Sequence, residues 1–292
     1  MAVYERNYGR YKGELTPEGS RFLILPRYAW KDVFESRLFV AFFALCFLLP
    51  FAGLLIIYLH HNLAALKFLN LPLEQLNQAL PINGAFFRRG IEFQSWLCFL
   101  LALFVGPALI APDLRNNGLP LYLARPFSRA EYVLGKLTVL VALMSVITWV
   151  PGLLLFFFQA YLEGAGWLGD NLRIGFALFA GSWAWILVVS LVALAISAWV
   201  KWKPVARISL LIVFFVLTGF ARALNEALDT WWGYLLSLST AMSNVWALLF
   251  GLEIDDSHFA QPGWAAWLTL ALGCACALWL LSRRIRAYEV VR

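Results

Sequence analysis

IGFALFAGSWAWILVVSLVALAISAWV, Ile174–Val200, runs for 27 residues without a charged side chain. At 1.5 Å per residue it makes a helix of about 40 Å, longer than the roughly 30 Å hydrocarbon core of a bilayer. A helix on the surface of a soluble domain is apolar on one stripe, not all round. The run therefore reads as a transmembrane helix. It has companions at 38–59, 93–111, 132–158 and 264–281, and a shorter one at 205–220 that is uncharged apart from Arg207. Pro50 and Pro151 fall inside the first and third of these six and are expected to kink them. The composition agrees: 62% hydrophobic and 14% charged, where a soluble domain carries roughly 25% charged residues. The expected fold is an all-α polytopic membrane protein with six spans in one transmembrane domain over residues 1–292.

Loop charge sets the expected orientation. With six spans and the N-terminus inside, the inner segments carry seven Lys and Arg through Arg37, four in 113–136, three in 201–207 and four from Arg283 onward. The outer segments carry Lys67, Arg88, Arg89, Arg173 and Arg222. Eighteen against five is a positive-inside pattern, so both termini are expected in the cytoplasm, with the chain in the cell's inner (cytoplasmic) membrane. The net charge of +6 is explained in this way. No basic cluster accompanies a nucleic-acid-reading module, so nucleic acid is not an expected partner. The first 36 residues are polar and mixed in charge, unlike a cleavable signal peptide.

Two segments fall outside the six spans. Trp231–Gly251, WWGYLLSLSTAMSNVWALLFG, is uncharged and long enough to cross, but a crossing would carry Arg283, Arg284, Arg286 and Arg292 outside. A re-entrant or interfacial helical element on the outer side is expected instead. Its Ser237, Ser239, Thr240, Ser243 and Asn244 break the apolar run. Near the N-terminus, Tyr28, Ala29, Trp30, Val33 and Phe34 recur at helical spacing, opposite Arg27, Lys31, Asp32 and Glu35. The expectation is an amphipathic helix on the inner leaflet, with Arg27 and Lys31 on its polar face and Trp30 and Phe34 on its apolar one.

Several chemistries lack their residues. The centres of the expected spans hold no Asp, Glu, Lys, Arg or His, and coupled transporters normally keep such groups there. Lys136 and Arg207 lie near span ends, where long side chains snorkel to the interface. Cys46, Cys98, Cys274 and Cys276 sit in apolar runs and read as packing residues, with no metal site expected. His60 and His61 have no carboxylate near in sequence, and neighbours on a helix point apart. No H-E-x-x-H or G-x-S-x-G occurs. LGKLT, Leu134–Thr138, fails the phosphate-loop pattern at Ala130 and Leu137. No catalytic residue, and no enzymatic activity of the chain by itself, is expected.

What remains distinctive is 113–136, DLRNNGLPLYLARPFSRAEYVLGK. Ser128 and Glu131 have the spacing of a capping box, with Phe127 and Tyr132 at hydrophobic-staple positions. Pro126 keeps Arg125 out of helical geometry. Between them, Gly118–Arg125 suits a short helix that starts at Pro120 and carries more apolar surface than a solvated loop needs. A tether would need neither the cap nor the proline boundaries.

Arg115–Lys136 resembles the cytoplasmic loop of type-two ABC exporter permeases. In that family a short coupling helix after the second span is followed by a Pro, here Pro126, then Ser/Thr-Arg, here Ser128-Arg129, then G-K entering the third span, here Gly135-Lys136. The wider layout is similar: an N-terminal amphipathic helix ending in Ser36-Arg37, six spans, re-entrant helices before the last, and the basic SRRIRAYEVVR after it. Asn116-Asn117 departs from the Glu-Arg of many relatives. The resemblance implies a permease subunit that pairs with a second permease subunit, as a homodimer or heterodimer, and with separate ATPase subunits that bind ATP and Mg. It implies no cofactor in this chain. It places the ATPase contact at Asn117, Gly118, Leu119, Pro120, Leu121, Tyr122, Arg125, Pro126, Ser128 and Arg129. Arg125 and Arg129 would be cationic contacts there, while Leu119, Leu121 and Tyr122 would fill a groove. The span centres suggest a cargo that is amphipathic, lipid-like or a peptide. The alternatives are a secondary transporter and a non-transporting membrane scaffold or assembly factor.

Overall fold

The computed structural model describes residues 17–62, 81–116, 118, 128–253 and 261–285. Among these residues the chain is helical throughout, with no strand. Six helices are long and apolar enough to cross a membrane: Arg37–His61, Gly84–Arg115, Arg129–Glu163, Leu172–Trp199, Lys203–Leu228 and Gly263–Arg284. They are called here the first to sixth spans. The chain is a polytopic helical membrane protein.

The fourth span is the hub. Of its apolar window 67% is buried, against 17% for the first span and 22% for the fifth, so the latter two form the periphery. The hub is small on the side that meets the second span. A Cβ on Gly106 would stand 2.9 Å from that of Ala193. Without a hydrophobic force between helices in lipid, such small-residue contacts supply the van der Waals packing that joins spans.

Prolines fall inside three spans, and in two of them a neighbouring span bonds the carbonyl that the proline leaves free. A proline cannot donate to the carbonyl four residues back. For Pro50 that carbonyl is Cys46 O. The first span breaks at Cys46-Phe47, and Gln94 Nε2 of the second span donates to Cys46 O at 2.9 Å. For Pro107 it is Leu103 O, and Arg207 Nε of the fifth span donates to it at 3.2 Å. Arg207, which is exposed, is thus bonded to the carbonyl that Pro107 leaves free within a continuous helix. Pro151 coincides with the break at Thr148 in the third span.

Two spans reach further than their apolar runs. The second begins at Gly84, capped by Asn83 Oδ1, which accepts from the Ala85 and Phe86 amides. It therefore includes Arg88, Arg89 and Glu92, and the fifth continues through Arg222 to Leu228. The helix tolerates these charges because Arg88 Nε and Glu92 Oε1 pair at 2.8 Å, one turn apart. Charge at the ends of the spans is thus greater than the apolar runs imply.

Between the fifth and sixth spans, a 3-10 turn, Trp232–Leu236, lies against the fifth span, where buried Asn225 Oδ1 accepts from the Gly233 amide at 2.7 Å. A short helix, Leu238–Phe250, follows. It starts beside the middle of the fifth span: Ser239 Oγ donates to Phe214 O at 3.1 Å. It ends beside the start of the fourth, where Arg173 donates to Leu249 O at 2.9 Å and Leu248 O at 2.7 Å. A guanidinium on the last carbonyls of a helix satisfies orphan acceptors and opposes the negative end of the helix dipole. Gly251 closes the helix at φ 70°, in the left-handed region.

The histidines correct an expectation. The rings of His60 and His61 lie 5.3 Å apart, and His61 Nε2 meets Glu163 Oε1, from the end of the third span, at 3.3 Å. A carboxylate distant in sequence is brought close because the first and third spans end at the same level. Cys46 and Cys98 are buried in the core as free thiols, Cys274 is half-buried and Cys276 is exposed.

Candidate functional site

The site is the Asp113 end of the bundle, where the second span stops and the third begins. The last turn of the second span, Ala111–Arg115, follows a break at Ile110. The buried Ser197 hydroxyl of the fourth span accepts from the Ile110 and Ala111 amides at 3.2 and 3.0 Å. Two donors that a helix restart leaves unpaired are satisfied in this way. The chain then folds back, the Asn116 amide donating to Pro112 O at 2.9 Å and that of Gly118 to Asp113 O at 2.7 Å.

The third span starts at a fixed point. Ser128 is its N-cap: Ser128 Oγ accepts from the Glu131 amide at 3.2 Å, and Glu131 Oε2 accepts from the Ser128 amide at 2.6 Å. The reciprocal pair forms a capping box. Arg129 is exposed.

One turn further, three side chains tie the two span ends together. Asp113 Oδ2 accepts from the Tyr132 hydroxyl at 2.7 Å and meets Lys136 Nζ at 2.9 Å. Tyr132 is fully buried and Lys136 nearly so. Tyr132 and Lys136 are four residues apart, so one helix face presents both. The Lys136 ammonium also lies 5.6 Å from the Tyr132 ring centroid. Lys136 is therefore a buried ion-pair partner, where a snorkelling side chain was expected. Sequence reading placed Tyr132 in a staple and missed its hydroxyl. The signal was a Tyr-x-x-x-Lys pair facing an Asp at the end of the preceding span.

The N-terminal helix, Ile24–Phe34, completes the site by packing on the third span. Gly135 makes the approach possible: a Cβ there would stand 2.8 Å from Phe22 O and 2.9 Å from Leu25 Cδ1. Trp30 lies partly buried against the core, with Nε1 3.5 Å from Val139 O. Phe34 makes edge contacts with Phe39 and Phe43 of the first span at 5.4 and 5.5 Å. Arg27 and Lys31 are exposed. Tyr28, assigned to the apolar face, is 69% exposed; the helix turns it away while Ala29, Trp30 and Val33 face the core.

Of the expected ATPase contacts, Gly118, Ser128 and Arg129 fall among the described residues. Asn117, Leu119, Pro120, Leu121, Tyr122, Arg125 and Pro126 lie outside them, as does Phe127 of the expected staple. Among the described residues, no group of three or more His, Cys, Asp and Glu is placed to hold a metal ion. No known family model matches the chain, and no curated protein matches it.

Proposed function

We propose that this chain is the membrane-spanning subunit of an ABC exporter, with its coupling element at 118–125. The observation that supports the reading most is the way both flanks of that element are mounted. Asp113 on one side and Ser128 on the other are held within one hydrogen-bonded and ion-paired unit with Tyr132 and Lys136. A push delivered between them reaches the second and third spans together. The N-terminal helix, seated on Gly135 and Val139, lies on the same load path.

In this reading two permease subunits pair, and two separate ATPase subunits carry ATP and Mg. The Asp113 end faces the cytoplasm, with both termini there, and the membrane is the cytoplasmic one. The N-terminal helix is amphipathic and interfacial. The segment 231–251 is re-entrant, a reading supported by its start beside Phe214 and its end beside Arg173. The cargo is amphipathic, lipid-like or a peptide. The test is co-purification with a co-expressed Walker-type ATPase, repeated with Leu121→Asp and Tyr122→Ala. Loss of the complex and of stimulated ATP hydrolysis is expected. An unaffected complex with unaffected hydrolysis removes the coupling role.

One observation favours a second reading, a gradient-driven transporter. Arg88, Glu92 and Arg222 lie within spans, where ionisable groups mark ion pathways. Uptake into proteoliposomes under an imposed proton gradient, with no ATPase present, distinguishes it.

A further inference from the structure

A cavity of about 720 Å³ lies between the second span, the fifth span and the short helix Leu238–Phe250. That volume is typical of a site for one small ligand. One wall is a run of aromatic rings. Trp96 lies 5.3 Å from Phe215, Phe99 lies 5.0 Å from Phe214, and Trp185 lies 5.6 Å from Phe214. Trp96 and Phe215 remain 54% and 43% exposed, so the wall has apolar surface to offer. The facing wall, from the short helix, carries hydroxyls and amides, among them Thr240, Ser243 and Asn244.

The charges are unbalanced. Arg88, Arg222 and Glu92 all line the cavity. Arg88 is paired with Glu92 at 2.8 Å. Arg222 makes no hydrogen bond or ion pair among the described residues. Two cations against one carboxylate leave one positive charge beside an apolar wall. The backbone is also irregular at this place. Ile212–Val216 forms a π turn in the fifth span, and Phe214 and Phe215 within it line the cavity. Two hydroxyls donate to Phe214 O, Thr218 Oγ1 at 2.7 Å and Ser239 Oγ at 3.1 Å. π turns inside α-helices are rare and concentrate at functional sites.

We propose that this cavity binds an anionic amphiphile, with a carboxylate or phosphate head on Arg222 and Arg88 and a hydrocarbon chain along Trp96, Phe99 and Phe215. A purely hydrophilic anion leaves the aromatic wall unfilled. A neutral lipid offers no charged partner to Arg222, which is exposed at the cavity rim and stands without one among the described residues. Glu92 already neutralises part of Arg88, which suits a head of low charge. As cargo, this amphiphile rests on the exporter reading; as a binding site, it stands without it.

The test uses the full chain in nanodiscs of zwitterionic phosphatidylcholine, with no ATPase present, so its outcome is separate from that of the exporter reading. The probes are a sixteen-carbon diazirine fatty acid and the matching diazirine alcohol, with cross-links mapped by mass spectrometry. The acid is expected to label the cavity walls at least about tenfold more than the alcohol, the scale of one charge-assisted hydrogen bond. Arg222→Gln lowers acid labelling by about tenfold, and Arg222→Lys retains most of it. Glu92→Gln raises labelling, because it removes the competing carboxylate and frees Arg88; a misfolded variant does not produce a gain. Two competitors separate the sources of the head group: phosphatidylglycerol built into the disc for a bilayer lipid, and dodecyl phosphate added to the buffer for a free amphiphile. Competition by either supports the site. Equal labelling by acid and alcohol, labelling indifferent to Arg222→Gln, or a loss with Glu92→Gln overturns it.

Discussion

The Asp113–Lys136 pair makes a prediction that can be worked through. Removing one partner of a buried ion pair costs about 3–5 kcal/mol, because the other charge is left desolvated and unpaired. The Lys136 side chain is 10% exposed and that of Asp113 19%, which puts this pair at the low end, about 3 kcal/mol. Lys136→Met strands the Asp113 carboxylate. Asp113→Asn strands the Lys136 ammonium but keeps an acceptor for the Tyr132 hydroxyl. Each single variant should therefore lose about 3 kcal/mol. With both substitutions no buried charge remains, and most of the loss should return. A double-mutant cycle then gives a coupling of about 5 kcal/mol, well above the few tenths seen for independent sites. The assay is folded protein surviving stepwise heating in detergent, measured by size-exclusion chromatography. At 2 °C or more per kcal/mol for a chain of this size, each single variant should melt about 6 °C lower and the double variant close to wild type. A double variant that loses the sum of the two singles refutes the argument.

Two further outcomes test the local geometry. Arg207→Met leaves Leu103 O without its donor and should cost about 1 kcal/mol in the same assay; adding Pro107→Ala restores the helix amide and should recover it, and a failure of that rescue shows that Arg207 acts otherwise. Gly135→Val drives a side chain into Phe22 O and Leu25, and overpacking of about 1–3 kcal/mol should raise the rate of tryptic cleavage at Arg27 and Lys31 by about tenfold; an unchanged rate means that the N-terminal helix does not depend on this contact.

The spans were legible because hydropathy over twenty residues is a strong, local signal, and the capping box because S-x-x-E states both of its bonds within four residues. What was not legible depends on pairs that meet only in space. Asp113 and Lys136 belong to different helices, and each looks like an ordinary flanking charge until Tyr132 brings them to one atom. Arg88 and Glu92 looked like loop residues because the apolar run starts at Phe93, yet Asn83 caps a helix that begins about two and a half turns earlier. Pro50 announced a break in the sequence, but not that Gln94 would take the freed carbonyl, and Pro107, whose freed carbonyl Arg207 takes, was not read as a kink. Tyr28 was misplaced because helical spacing alone fixes a face only to within a residue.

The π turn in the fifth span has one more consequence. A π turn is a single-residue insertion in an otherwise regular helix, and one residue is worth about 100° of rotation. The two halves of the span are therefore clocked differently: one half aims Arg207 at Leu103 O, and the other aims Arg222 at the cavity. Substitutions along this helix change what is presented, but not the phase between the halves. Deleting one residue within Ile212–Val216 would let the helix close regularly. One half would then keep its setting while the other swung away, as a gear that has lost a tooth shifts everything beyond it.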